Sequence, residues 1–118
     1  VTVVEGYLPI ERLKLGIDHD GAELTAMKRL IRQVADAGID LVCYNFMSGT
    51  DWVRTRSDLP ERGGATVTQF RLADVAHAVS LNASSIPEGP RVTADELWGH
   101  LDRFLTELLP VAEQVGVR

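Results

Sequence analysis

The stretch from Ile39 to Thr55 constrains this chain more than any other. Its first half, Ile39-Asp40-Leu41-Val42-Cys43-Tyr44-Asn45-Phe46-Met47, is a short apolar run rich in branched side chains, placed directly after a helix-like segment that stops at Gly38. That is how a buried parallel strand reads. The second half changes character at once. Past Ser48-Gly49-Thr50, the segment Asp51-Trp52-Val53-Arg54-Thr55 adds a carboxylate, an indole, a guanidinium and a hydroxyl to the amide of Asn45. A strand that ends in such a cluster is how α/β enzymes assemble sites, because ligands sit beyond the carboxyl ends of the strands.

The segments on either side fit a strand–helix–strand unit. Residues 1–5 carry three valines and read as a buried strand, with Glu5 at its carboxyl end as a candidate functional carboxylate. Asp20-Gly21-Ala22-Glu23 has the spacing of a capping box, and the helix after it places Leu24, Met27, Leu30, Ile31 and Val34 on one face. Gly38 supplies the left-handed residue that ends this helix. Asp18-His19-Asp20-Gly21 lacks the third aspartate and closing glutamate of a calcium loop, so helix capping accounts for Asp20.

Between Arg56 and Arg91, prolines and glycines break any long element. Ala65 to Phe70 reads as a short strand or hairpin arm, and Leu72 to Leu81 as one or two helical turns. A connection this long is uncommon unless it covers a site. Thr93-Ala94-Asp95-Glu96 is a second capping box, followed by apolar residues at helical spacing from Leu97 to Val115. Pro110 removes one amide donor inside that helix, so a kink is expected near it. Trp98 borders the apolar face and reads as packing.

Composition excludes several classes of function. With 118 residues, 45% hydrophobic and 25% charged, the chain has the balance of an ordinary globular protein. A net charge of −5 argues against a nucleic-acid or anionic-membrane surface. No stretch approaches the ~18 consecutive apolar residues of a membrane span, and the cytoplasm is the expected compartment. One cysteine cannot form an internal disulfide. Cys43 in an apolar strand reads as a small hydrophobe. His19, His77 and His100 show none of the helical spacing of metal ligands. Val1 lies inside the first strand, and Gly116-Val117-Arg118 reads as a helix stop followed by the first residues of another strand. Residues 1–118 are therefore expected to form an internal segment of a single larger domain, truncated at both ends.

Cys43-Tyr44-Asn45-Phe46-Met47, followed by Asp51-Trp52-x-Arg54-Thr55, resembles the signature of the mannonate dehydratases. Glu11, Lys14, Leu15 and Gly16 match a second stretch of that family, Glu-x-Ile-Lys-Leu-Gly, while Ile10 stands where many members have histidine. Ser48-Gly49-Thr50 departs from the family's Pro-Val-Phe-like spacer. The resemblance implies an α/β fold, here a partial TIM (β/α)8 barrel of about two βα units with a long irregular βα loop. A closed barrel takes roughly 250 residues, more than this chain has.

It also implies the chemistry. The intact enzyme would be a hydro-lyase that dehydrates D-mannonate to 2-keto-3-deoxy-D-gluconate with Mn²⁺ or Fe²⁺, and a homo-oligomer is possible for it. The family's metal site uses two His, a Cys and an Asp on later strands, so the ligands are expected outside this chain, which alone would be inactive. The expected substrate-binding residues are Asn45, Arg54, Trp52, Asp51, Tyr44 and Glu5. Arg54 would clamp a carboxylate with its planar fork, unless it forms a structural ion pair with Asp51. Trp52 would floor a sugar-acid pocket. Side chains alternate along a strand, so Tyr44 turns to the helix layer if Asn45 turns to the site. A divalent-metal sugar isomerase or epimerase barrel and a small non-catalytic α/β binding module are the rival readings; the Trp52-x-Arg54-Thr55 motif favours the dehydratase.

Overall fold

The computed structural model describes residues 1–6, 8–47, 53–80 and 91–118, with His77, Val79 and Ser80 described by backbone alone. The chain forms two compact units: residues 1–48 with 89–118, and residues 49–88.

The first unit is built on a parallel strand pair. β1 (Val4–Glu5) and β2 (Val42–Cys43) run parallel, with Val4 opposite Val42 and Glu5 opposite Cys43. Both strands are shorter than the apolar runs that contain them. On the other edge of β2, the Arg118 amide donates to the Asp40 carbonyl and the Val42 amide donates to the Arg118 carbonyl, each at 2.8 Å. This is the bonding of a parallel bridge, made by the single residue Arg118. β2 thus bonds β1 on one edge and Arg118 on the other.

Three helices accompany these strands: α1 (Glu11–Leu15), α2 (Ala22–Asp36) and α3 (Ala94–Val115). The apolar stripe predicted for α2 is its buried face, with Met27, Ile31 and Val34 in the core. Phe104, Leu108 and Ala112 of α3 meet it, together with Leu8 and Ile10 from the turn before α1. Ile10, Met27 and Phe104 are the most completely buried large side chains. Ile10 is thus a core residue in this chain. All three helices stop alike: the amides of Ile17, Ile39 and Val117 reach back to the carbonyls of Arg12, Val34 and Ala112, each past a left-handed glycine. This paired closure satisfies carbonyls that a helix end would otherwise leave open.

The start of α2 differs from the capping box expected there. Gly21, at φ 65°, is the N-cap residue, and Asp20 accepts from the Ala22 amide at 3.3 Å and from the Arg12 guanidinium. Asp18 caps the first turn, accepting from the Glu23 and Leu24 amides at 3.2 and 3.1 Å. The left-handed Gly21 curls the chain so that a carboxylate further upstream reaches the exposed donors. Glu23 is turned away and accepts from the Leu13 amide of α1 at 2.9 Å.

α3 matches its expected box, with Thr93 and Glu96 bonded reciprocally, and it continues as one helix through Pro110. Trp98, expected to pack, is 70% exposed. Leu101 packs against the core, and the helical rotation carries Trp98 outward. No helix among the described residues is long and apolar enough to cross a membrane.

The second unit contains the hairpin arm expected at residues 65–70, and its partner strand precedes it. β4 (Arg56–Pro60) pairs antiparallel with β5 (Thr66–Gln69), Leu59 opposite Val67 and Pro60 opposite Thr66. A 3-10 turn at Arg62–Gly64, with Gly63 left-handed, joins them. In a two-stranded ribbon every strand is an edge, so Pro60 is tolerated. A second 3-10 segment covers Leu72–His77, and β3 (Val53–Arg54) pairs antiparallel with β6 (Val79–Ser80).

Candidate functional site

The strand ends of the first unit carry Glu5 and Asn45. Glu5 closes β1 beside Cys43 and is exposed. After β2, side chains alternate as they do along a strand. Tyr44 and Phe46 turn to the helix layer, where their ring centroids lie 5.5 and 5.6 Å from that of Phe104. Asn45, between them, is exposed. Burial raises the pKa of the Tyr44 phenol, because the phenolate would lose water that the packed rings do not replace. The Tyr44 ring serves the core, and Asn45 carries the polar group that this strand end presents. Cys43 is a half-buried free thiol.

Arg54 lies in the second unit. Its Nη1 donates to the Val53 carbonyl at 2.8 Å and its Nε to Thr68 Oγ1 at 3.1 Å, which ties the guanidinium to strand β5. Thr55 anchors the same hairpin: its hydroxyl donates to the Gln69 carbonyl and accepts from the Arg71 amide, both at 3.1 Å. The Arg-Thr pair of the motif is thus held by β5 and the residues that follow it. Asp51 and Trp52 lie outside the described residues, as does the alternative pairing of Arg54 with Asp51.

The turn after β1 holds charged groups whose partners the sequence did not reveal. Lys14 is only 5% exposed, and its ammonium meets Glu11 at 2.6 Å. A buried ammonium needs such a partner to offset lost hydration. Arg12 bridges Asp18 and Asp20 at 3.7 and 3.0 Å. Its guanidinium, with help from the Ala22 amide, holds the Asp20 carboxyl below the usual range. From α3, His100 Nδ1 lies 2.8 Å from the Lys14 carbonyl oxygen. A cavity of about 370 Å³ adjoins this contact, lined by Leu13, Gly16, His19, Leu24, His100 and Arg103 among others. Among the described residues, no three His, Cys, Asp or Glu side chains are grouped to hold a metal ion.

Comparison with known proteins gives this geometry its context. The family model of D-mannonate dehydratase (UxuA) matches residues 1–118. The chain belongs to the D-mannonate dehydratase family. A mannonate dehydratase of Streptococcus suis (strain 05ZYH33) is 36% identical over 138 aligned positions, which cover all of this chain and 37% of that protein. The mannonate dehydratase of Bacillus subtilis (strain 168) is 34% identical over 140 positions, covering 98% of this chain and 39% of the relative. The crystal structure of mannonate dehydratase from Streptococcus suis serotype 2 superposes with a TM-score of 0.82 at 34% identity, over 100% of this chain and 35% of that one. The chain therefore spans well under half the length of the mannonate dehydratases that it matches.

Within the family's two stretches, the structure assigns different work to neighbouring residues. In the first, Glu11 and the buried Lys14 form a partly buried ion pair and Gly16 ends α1 in the left-handed region at φ 72°. In the second, Tyr44 and Phe46 pack while Asn45 is presented. Glu23 and His100 are what sequence reasoning missed, because their partners lie 10 and 86 residues away. No local pattern marks either tie.

Proposed function

We propose that this chain supplies the substrate-positioning part of a mannonate dehydratase, an enzyme that removes water from D-mannonate to give 2-keto-3-deoxy-D-gluconate. The observation that carries the reading is the match of the whole chain to the family, in sequence and in backbone. That match also favours the dehydratase over a sugar isomerase or a free-standing binding module. The parallel ladder from β1 through β2 to Arg118, in sequential order, supports a partial (β/α)8 barrel, the architecture in which strand ends bear the site.

On this reading Asn45 and Glu5, at consecutive strand ends, contact hydroxyls of the sugar acid. Arg54, through its planar guanidinium, is suited to the carboxylate, and Asp51 and Trp52 are further substrate-binding candidates. The reaction takes a proton from the carbon next to a carboxylate and expels a hydroxyl from the carbon beyond it, so a general base and a general acid are needed. We assign neither role to a residue of this chain. The family implies a divalent ion, Mn²⁺ or Fe²⁺ on our reading. The described residues do not form a site for it, and no step assigned to them runs through it. The small polar substrate fits a cytoplasmic enzyme.

The test is product formation from D-mannonate by the protein as its gene encodes it, with Mn²⁺ or Fe²⁺ supplied. Keto-acid release above the no-enzyme control is expected. Its absence under both metals overturns the lyase reading, and turnover by residues 1–118 alone overturns the assignment of the chemistry to groups elsewhere.

A further inference from the structure

We infer that His100 is a positioning residue, the strut that holds the C-terminal end of α1 against α3 and so fixes the turn that follows β1. Four observations converge on it. A carbonyl oxygen can only accept, so at 2.8 Å from the Lys14 oxygen the Nδ1 atom carries the proton. The His100 ring occupies the space where a side chain on residue 16 would go: a Cβ built on Gly16 falls 2.5 Å from Cε1 and 3.1 Å from Cδ2. Gly16 is thus required twice, by its φ of 72° and by the ring. The cavity of about 370 Å³ leaves open the space beside the contact. Finally, the other long-range backbone tie of α1, from the Leu13 amide to Glu23, goes to α2.

α1 is therefore held between two helices, by Glu23 from one side and His100 from the other. Lys14 and Gly16, the residues that His100 touches, belong to the family-like stretch, and the turn they end leads away from Glu5 on β1. Displacing α1 would shift the chain that leaves this strand end. The effect on turnover rests on the lyase reading above; the mechanical role of His100 does not.

The substitutions H100A, H100N and G16A separate the two. Asn places an amide donor near the position of Nδ1, while Ala removes both donor and ring. In the full chain, H100A should speed hydrogen exchange of the Gly16 and Ile17 amides at least tenfold relative to those of α2, and H100N should restore most of the protection. If H100A does not fold, H100N decides alone: exchange as slow as in the unsubstituted chain supports the strut, and lost protection overturns it. G16A should cost less in the H100A background than alone, because the ring is no longer in the way; strictly additive costs overturn the steric part. Nitrogen NMR should show His100 with its proton on Nδ1, and a neutral ring protonated on Nε2 overturns the bond. In the protein as its gene encodes it, H100A should lower kcat/KM for D-mannonate about tenfold and H100N should recover it. Unchanged kinetics with faster exchange overturn the positioning role. If the unsubstituted protein does not turn over D-mannonate at all, the lyase reading fails, and the exchange and NMR results still decide the strut.

Discussion

Tyr44 meets Phe104 edge-on, with ring centroids 5.5 Å apart and planes at 78°. This contact joins the end of β2 to the middle of α3 and sets the facing of the residues beside it. With Tyr44 and Phe46 packed on one side, Asn45 is left on the other. Phe104 is 1% exposed and receives both rings, so Phe104→Ala should destabilise the chain by about 3–5 kcal/mol. Tyr44→Phe keeps the packing and should leave stability within about 0.5 kcal/mol. Chemical denaturation of both variants checks the pair.

Asn45→Ala should leave the fold intact, since the side chain is exposed. Its expected effect is on the sugar acid: about tenfold lower kcat/KM in the protein as its gene encodes it, or about 1.4 kcal/mol. A melting temperature measured alongside separates lost contact from lost fold.

Arg54→Lys removes the planar fork and keeps the charge. Turnover should fall by one to two orders of magnitude, about 1.4–2.7 kcal/mol. Arg54 also bonds Thr68 and the Val53 carbonyl, so stability has to be measured in the same variant. Unchanged kinetics with a lowered melt would assign Arg54 to the hairpin alone.

Cys43→Ala should cost packing energy and leave the metal content of the enzyme unaltered, as expected for a half-buried strand thiol. Metal analysis of the variant settles it, and loss of metal would make Cys43 a ligand.

Acid should weaken the fold through carboxylates held below their usual range. The Thr93 amide and hydroxyl lower the Glu96 pKa, Arg12 and the Ala22 amide lower that of Asp20, and Lys28 lowers that of Glu107. A carboxyl lowered on folding adds stability that is present above its unfolded pKa and is lost as pH falls through the folded one. Stability should therefore decline from the ordinary carboxylate range downward. All three groups are exposed and screened, so each contribution is small. Glu96→Gln should flatten this acid limb, and Thr93→Ala should cost about 1 kcal/mol at neutral pH by uncapping α3. Denaturation curves taken across the acid range test both.

What the sequence determined by itself is local. The apolar spacing in α2 and α3, the left-handed glycines that end them, the Thr93-Glu96 box and the alternation that turns Tyr44 inward are set by neighbours within a few residues. The parallel relation of β1 and β2 also followed, because a strand, a helix and a strand joined by short turns leave few arrangements. The motif from Cys43 to Thr55 carries the family resemblance in sequence alone. Tertiary structure decided the rest. Asp18 rather than Asp20 caps α2, because Gly21 in the left-handed region curls an upstream carboxylate onto the first turn. Trp98 faces outward, because Leu101 and Phe104 set the buried face of α3 and the helical rotation turns residue 98 away from it. The arm at residues 65–70 was legible, but its partner, Arg56–Pro60, and their register are set by bonds between strands that no period within either one announces. Glu23 and His100 gained their roles only when folding brought the Leu13 amide and the Lys14 carbonyl to them. A hydrogen bond between residues 86 apart leaves no trace in the spacing of either, since only the folded backbone brings donor and acceptor together.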